Sequence, residues 1–138
     1  MTATTHHAIV LPAEISTPHR VIDWPYPSSR ATLDLLYREI GCECVDASPS
    51  IPTPFGTLTY WVDDEGLFAE PVRHNDRGIA LMRSLGYHVP DIAGTMVITG
   101  GADASGDTLG LPPRADIVLD QFLTAATTHI RARTAGWN

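Results

Sequence analysis

The chain has 138 residues, of which 43% are hydrophobic and 18% charged, so its size and composition fit one globular domain at 1–138 and exclude a chain that is disordered as a whole. Sixteen acidic residues against nine basic ones give a formal net charge of −7, which argues against a protein that coats DNA or an anionic membrane. All nine basic residues are arginine, so chemistry that needs a lysine, such as a Schiff base or a Walker-type phosphate loop, is excluded.

The first forty residues contain a short apolar run, a predicted strand and a predicted helix. Residues 8–11 form the apolar run, and the alternating residues 19–24 predict a strand that the following prolines end. Ser28 or Ser29 can cap the helix, and Gly41 can end it in the left-handed conformation. The apolar stripe of this helix is expected to comprise Leu33, Leu36, Tyr37 and Ile40.

The middle of the chain predicts a strand, a loop and a hairpin. Residues 42–47 are expected to form a strand directly after the helix, and the proline-rich residues 48–54 a connecting loop. The β-branched and aromatic residues 57–62 predict the first strand of a hairpin. Acidic residues and a glycine at 63–66 supply its turn, and residues 67–70 are expected to return antiparallel.

Two helices and one strand are predicted in the last part of the chain. Asn75 or Asp76 can cap a second helix that ends before Gly86, residues 92–99 predict a strand, and the prolines at 112–113 start a final helix. We therefore expect an α+β domain in which a mixed or mainly antiparallel sheet packs with about three helices. The residues expected to form its core are Leu33, Leu36, Ile40, Tyr60, Val62, Ile79, Met82, Val97, Val118, Phe122 and Ile130.

No motif for catalysis or metal binding is recognisable in the sequence. Cys42 and Cys44 would share one face of a strand, but no second cysteine pair completes a zinc site, so we expect buried, reduced thiols. Asp63, Asp64 and Glu65 could act with one or two of the six histidines in a metal-dependent hydrolase. As the turn of a hairpin, these acids are instead expected to be solvated. We therefore assign no catalytic residue, metal ligand or cofactor.

Two groups of residues are candidates for binding. Consecutive residues of a strand point to opposite faces, so Trp61 can be exposed beside Asp64 and Glu65 and offer a surface to a protein partner. The residues of the second group are Arg73, Asn75 and Arg77. There, basic charge coincides with the start of a helix and its free N–H groups, a combination that suits a small anionic, nucleotide-like ligand.

The sequence has no feature of an exported or membrane protein. Its start lacks the basic and apolar regions of a signal peptide, and no apolar run approaches the ~18 residues of a membrane span. We therefore expect a cytoplasmic protein without a membrane partner.

Four segments together resemble a known protein family. They are GCECVD at 41–46, TLTYWVDDEGLF at 57–68, PVRHNDRGIAL at 71–81 and IAGTMVITGGAD at 92–103. From 41 to about 110 the chain is similar to the uncharacterised family named domain of unknown function 3846. The positions that match its pattern are Asp64, Glu65, Gly66, Asn75, Gly94 and Gly100. The resemblance implies a small protein of GC-rich bacteria, their plasmids or their phages, and implies no activity or cofactor.

The resemblance and the lack of catalytic motifs favour a non-enzymatic binding protein. We expect an accessory or counter-defence factor of a phage or plasmid that blocks a host protein or sequesters a small anionic ligand. The alternative is the metal-dependent hydrolase. Given the net charge of −7, a nucleic acid is not an expected partner, and the sequence leaves open whether the chain forms a homo-oligomer.

Overall fold

Six strands and three α-helices are formed by the described residues, 6–89 and 91–135, of the computed structural model. The strands are β1 (His7–Leu11), β2 (Arg20–Asp23), β3 (Val45–Ala47), β4 (Ile51–Thr53), β5 (Gly56–Asp63) and β6 (Met96–Gly100). The helices are α1 (Ser29–Ile40), α2 (Asp76–Ser84) and α3 (Ala115–Ala135), with a short 3₁₀ helix at Gly66–Phe68. None of the described helices has the length and apolar character that crossing a membrane requires.

The strands form one antiparallel sheet in the order β2-β1-β6-β5-β3, and β4 also pairs with β5. β3 and β4 lie end to end along one edge of β5, because β6 occupies the other edge. Ser48 joins them: its N–H donates to the Tyr60 carbonyl (2.8 Å), and its hydroxyl oxygen accepts a hydrogen bond from the Tyr60 N–H (3.0 Å). The predicted α+β class, with a mainly antiparallel sheet, is confirmed.

Both faces of the sheet are covered by helices. Ile9 and Leu11 of β1 face an apolar cluster that includes α2 and α3, whereas Ala8 and Val10 face a smaller cluster that includes α1. A strand buried on both faces needs apolar residues at consecutive positions, which explains the nearly continuous apolar runs of β1 and β6. The sheet is therefore the middle layer of three.

The ends of α1 and α2 follow the capping signals in the sequence. At the start of α1 the Ser28 Oγ accepts a hydrogen bond from the Ala31 N–H (3.2 Å), and Gly41 ends this helix with a φ of 74°. At the start of α2 the Asn75 Oδ1 accepts a hydrogen bond from the Gly78 N–H (3.0 Å). Both helix predictions are confirmed.

The predicted hairpin at 57–70 is wrong in its second strand. β5 is present, but its antiparallel neighbours are β3, β4 and β6, and residues 67–70 do not return along it. The Asp63 Oδ1 accepts a hydrogen bond from the Glu65 N–H (2.9 Å), and the chain turns into the 3₁₀ helix. The hairpin joins β4 to β5 instead, in the segment predicted to be a loop. Pro52 is tolerated in β4 because this is an edge strand.

Two residues expected in the core, Leu33 and Val118, are exposed. In α1 the stripe is turned so that Leu35 is buried in place of Leu33. In α3 the buried residues recur every fourth position and leave Val118 at the side. These residues are Ala115, Leu119 and Leu123. The other nine residues expected in the core are buried or partly buried.

The two cysteines are less buried than expected. The strand begins at Val45 and not at residue 42, so both cysteines lie in the turn that precedes β3. Cys42 is half-buried and Cys44 is exposed, and both are free thiols.

Timed alkylation should distinguish the two thiols. Burial raises the pKa of the Cys42 thiol, and the Asp63 carboxylate adds to the rise. At pH 8 few Cys42 thiols are therefore ionised, and iodoacetamide should label the exposed Cys44 about tenfold faster. The measurement is peptide mass spectrometry of the native protein after short exposures, without reductant.

A single substitution tests the electrostatic part of this expectation. Asp63→Asn removes a negative charge that opposes ionisation of Cys42, so it should lower the pKa of Cys42 and speed its alkylation at pH 8. Equal labelling rates at the two cysteines, or a disulfide between them, would contradict the placement of these thiols.

Candidate functional site

Residues 63–70, here called the acidic loop, follow the end of β5 and expose two large apolar side chains. Phe68 is 82% exposed and Leu67 is 52% exposed. Among the large apolar side chains of the described residues, Phe68 has the highest exposed fraction. Exposed carboxylates flank this pair, because Asp64 and Glu65 precede it and Glu70 follows it. The acidic loop therefore combines apolar contact area with negative charge.

The backbone of the acidic loop is held by hydrogen bonds. The Asp64 N–H donates to the carbonyl of Cys44 (3.1 Å), and the Phe68 N–H donates to the carbonyl of Glu65 (2.9 Å). Gly66 starts the 3₁₀ helix, and a Cβ at this position would lie 3.1 Å from the backbone oxygen of Ala93, in the segment before β6. Phe68 is thus presented on an ordered turn, which reduces the entropy lost when such a side chain binds.

Trp61 is not the exposed aromatic residue that the sequence predicts. Its ring packs against the α1 side of the sheet, and its Nε1–H donates to the Thr99 Oγ1 (3.0 Å). Tyr60 packs against the α2–α3 side. Because helices cover both faces of the sheet, both aromatic residues of β5 contact a core cluster. The exposed aromatic residue of this region is Phe68.

A cleft of about 220 Å³ lies beside the acidic loop. The carboxylates that line it are those of Asp46, Asp63, Asp64 and Asp91. Tyr60, Val62 and Ile92 add apolar and aromatic surface. Burial raises the pKa of the Tyr60 phenol, and Tyr87 and Asp46 add to the rise, so the phenol keeps its proton at neutral pH. Acidic groups over an apolar wall suit a long cationic side chain, whose stem is apolar and whose end is charged.

Asn75, a candidate for ligand binding, lies inside the fold. It is 0% exposed, and its Nδ2 donates to the carbonyls of Leu11 (2.9 Å) and Gly94 (2.9 Å). Its Oδ1 caps α2 through the Gly78 N–H. The amide is therefore fully used in joining β1, α2 and the segment before β6.

Arg77 is also buried, with 1% of its surface exposed. Its Nη2 donates to the carbonyls of Pro12 (2.7 Å), Glu14 (2.9 Å) and Thr17 (2.8 Å). Among the described residues, none accepts a hydrogen bond from its Nε. Burial lowers the pKa of Arg77 from its ordinary, strongly basic value. This guanidinium holds the turn between β1 and β2 in place.

The predicted anion site at the start of α2 is therefore not assembled. Arg73 is exposed, whereas Asn75 and Arg77 are buried and bonded to backbone groups. The sequence correctly indicates that Arg73, Asn75 and Arg77 lie near the start of α2. The Asn75 side chain itself caps that start and takes the place that a ligand would need.

Two histidines each pair with one carboxylate, and His7 lies near two, at 3.9 Å from Asp23 and 3.6 Å from Asp116. The His74 Nδ1 lies 2.9 Å from Asp91, and the His19 Nε2 lies 2.6 Å from Asp120. In the part of the chain that the structure describes, no three histidine, cysteine or acidic side chains are grouped so that they could hold a metal ion. The acids at 63–65, which were candidates for such a group, line the cleft or point to solvent.

Most of the chain matches the model of one protein family. The family is described as Domain of unknown function (DUF3846), and the match covers residues 7–123. The chain belongs to this family. The match extends the resemblance at 41–110 in both directions and takes in β1, β2, α1 and the first part of α3. No curated protein and no solved structure matches the chain.

Three of the residues that carry the resemblance to DUF3846 have structural roles. Asn75 connects three segments of backbone, and Gly94 has a φ of 78°, which few other residues adopt. Gly100 packs so tightly that a Cβ would lie 2.2 Å from the carbonyl oxygen of Gly110. These three residues therefore support the fold, whereas Asp64 and Glu65, which also belong to the resemblance, are exposed in the acidic loop.

Proposed function

We propose that this protein is a binding protein that contacts a protein partner through the acidic loop. The observation that supports this most directly is the 82% exposure of Phe68 on an ordered turn. Aromatic side chains that insert into a partner's pocket supply much of the binding energy of protein interfaces. A partner that covers Phe68 removes apolar surface from water, and this burial contributes favourably to the free energy of binding.

The chemistry of the acidic loop indicates what kind of partner it fits. A pocket in the partner would receive Phe68, with Leu67 packed at its edge. Asp64, Glu65 and Glu70 would attract a basic surface and orient it, since complementary charge speeds and aligns association. The adjacent cleft, with its four carboxylates, would accept an arginine or lysine side chain of the same partner.

Two other functions considered from the sequence receive less support. A small anionic ligand would need Asn75 and Arg77, whose polar groups are engaged inside the fold. A metal-dependent hydrolase would need a group of ligands that the described residues do not bring together. The origin in a phage or plasmid, and a role in blocking a host protein, stay predictions that rest on the family resemblance.

Substitution of Phe68 tests the proposed function. The tagged protein and its Phe68→Ala variant would capture proteins from a lysate of the organism that carries the gene, and the captured partner would then be purified and titrated. We expect Phe68→Ala to weaken binding by about 30-fold or more, as for other central aromatic residues of interfaces. Binding of the unaltered chain should also weaken with added salt, because exposed carboxylates take part.

Ile117→Ala is the matched control for this experiment. Ile117 is 58% exposed on α3, outside the acidic loop, so its substitution should leave partner binding unchanged. Both variants should melt within a few degrees of the parent protein, because surface substitutions change stability by at most about 0.5 kcal/mol. A partner retained equally by both variants would overturn the assignment of the acidic loop.

A further inference from the structure

A groove of about 730 Å³ lies between α2 and α3. One stripe of each helix forms it, at the i, i+3, i+4 and i+7 spacing of a helix face. The apolar residues along this α2–α3 groove include Ile79, Ala80, Phe122, Ala126 and Ile130. The charged and titratable residues along it are Asp76, Arg83, His129 and Arg133.

The α2–α3 groove is basic in a protein that is acidic overall. Arg83 and Arg133 are both exposed, and neither forms an ion pair within the described residues. Asp76 is the single carboxylate among the described lining residues. The sequence has no acidic residue after Asp120. The groove therefore combines an apolar floor with two arginines that form no ion pair with any acidic side chain of residues 6–89 and 91–135.

The second half of α3 forms one wall of the groove and lies outside the DUF3846 domain. The family match ends at Leu123, which is also the last fully buried residue of α3 in the described chain. Residues 124–135 continue the helix for about 18 Å. Their described side chains are exposed or only partly buried, so this extension adds little to the core. The extension instead supplies most of one wall of the α2–α3 groove.

We propose that the α2–α3 groove binds an acidic amphipathic helix of a partner protein. A helix laid along a groove places its apolar residues on the floor, at the same i, i+3, i+4 and i+7 spacing. The extension offers room for about three turns of such a helix. Glutamate or aspartate residues on the flanks of that helix would meet Arg83 and Arg133. This surface is distinct from the acidic loop, which suits the opposite charge.

The proposal can be tested with two synthetic peptides of four helical turns. Both carry leucine at the i, i+3, i+4 and i+7 positions; one has glutamate on its flanks and the other lysine. Each would be labelled with fluorescein and titrated with the full chain while its anisotropy is recorded. We expect the glutamate peptide to bind at least about tenfold more tightly, although the protein's net charge of −7 disfavours it.

Charge reversal locates the binding on the groove. Arg83→Glu combined with Arg133→Glu should weaken binding of the glutamate peptide by at least about tenfold. The control combines Arg30→Glu with Arg131→Glu, two exposed arginines outside the groove, and should change the affinity by less than about threefold. The Phe68→Ala variant should bind the peptide as the parent does, which separates this proposal from the one on the acidic loop.

Three results would overturn the proposal. The lysine peptide could bind as tightly as the glutamate peptide, or the control variant could lose as much affinity as the groove variant. Sedimentation could also show that the protein self-associates and that reversing Arg83 and Arg133 dissociates it. That last result would assign the groove to a second copy of the chain.

Discussion

Replacing Arg77 with alanine should lower the free energy of unfolding by about 3–5 kcal/mol, since it empties the space of a fully buried side chain and removes its hydrogen bonds to backbone carbonyls. The carbonyls of Pro12, Glu14 and Thr17 would each lose a donor. A domain of this size is stable by only about 5–15 kcal/mol, so the variant should unfold at a temperature about 10–15 °C lower. Urea unfolding followed by circular dichroism measures the change.

Arg73→Ala is the matched control for this prediction. Arg73 precedes Arg77 by four residues but is exposed, so its loss should change stability by no more than about 0.5 kcal/mol. Arg77→Lys should fall between the two, because an ammonium keeps the charge but cannot reproduce the shape of the guanidinium. If Arg77→Ala and Arg73→Ala unfold alike, the turn between β1 and β2 does not depend on this residue.

Gly100→Ala should destabilise the protein by about 3 kcal/mol or more, because the added methyl group meets backbone and not a movable side chain. Its Cβ would lie 2.2 Å from the carbonyl oxygen of Gly110, so one of the two segments must shift. That shift would stretch the hydrogen bond from the Gly100 N–H to the Leu109 carbonyl (3.0 Å), which joins the end of β6 to the next loop. Thermal and urea unfolding of the purified variant would give the value.

Gly106→Ala separates this clash from the general cost of replacing a glycine. Gly106 lies in the same loop with a φ of 87°, but a Cβ there would have no heavy atom within 4 Å. Its substitution should cost only the strain of the left-handed conformation, about 1–2 kcal/mol. A cost at Gly100 no larger than that at Gly106 would show that the loop moves away freely.

Signals that act within one helical turn could be recognised from the sequence. Ser28 and Asn75 each cap a helix through an N–H three residues later, and Gly41 ends α1 through its own φ. These interactions involve neighbours in the chain, so the sequence carries all the information that they require. For this reason α1 and α2 are predicted with nearly correct ends.

The pairing of β5 depends on contacts that the local sequence does not contain. The acidic turn after β5 favours a return strand. The residues after this turn, 67–70, are all exposed and pack against no core cluster. Ile51 of β4 and Leu58 of β5 lie opposite each other, and both are buried in the apolar cluster on the side of the sheet that α2 and α3 cover. That burial selects β4 as the hairpin partner, despite its proline.

The candidate site is predicted only in part, for a similar reason. The chemistry of Asn75 and Arg77 draws attention to them, but most of their partners lie 60–65 residues earlier in the chain. Phe68 is missed because a return strand would place it against the sheet. The signal that could have found it is the pair of apolar residues enclosed by acids and followed by Pro71, because such a pair lacks the apolar–polar alternation of a half-buried strand.

The end-to-end arrangement of β3 and β4 also determines how other proteins can approach the sheet. Each of these strands has three residues, and Pro49 and Pro52 have no N–H to offer. An incoming strand needs an uninterrupted row of backbone donors and acceptors, which this edge lacks. The edge is thereby protected against strand addition and against edge-to-edge aggregation with other copies. A partner that binds at this edge of the sheet must therefore contact side chains and not a row of free backbone groups.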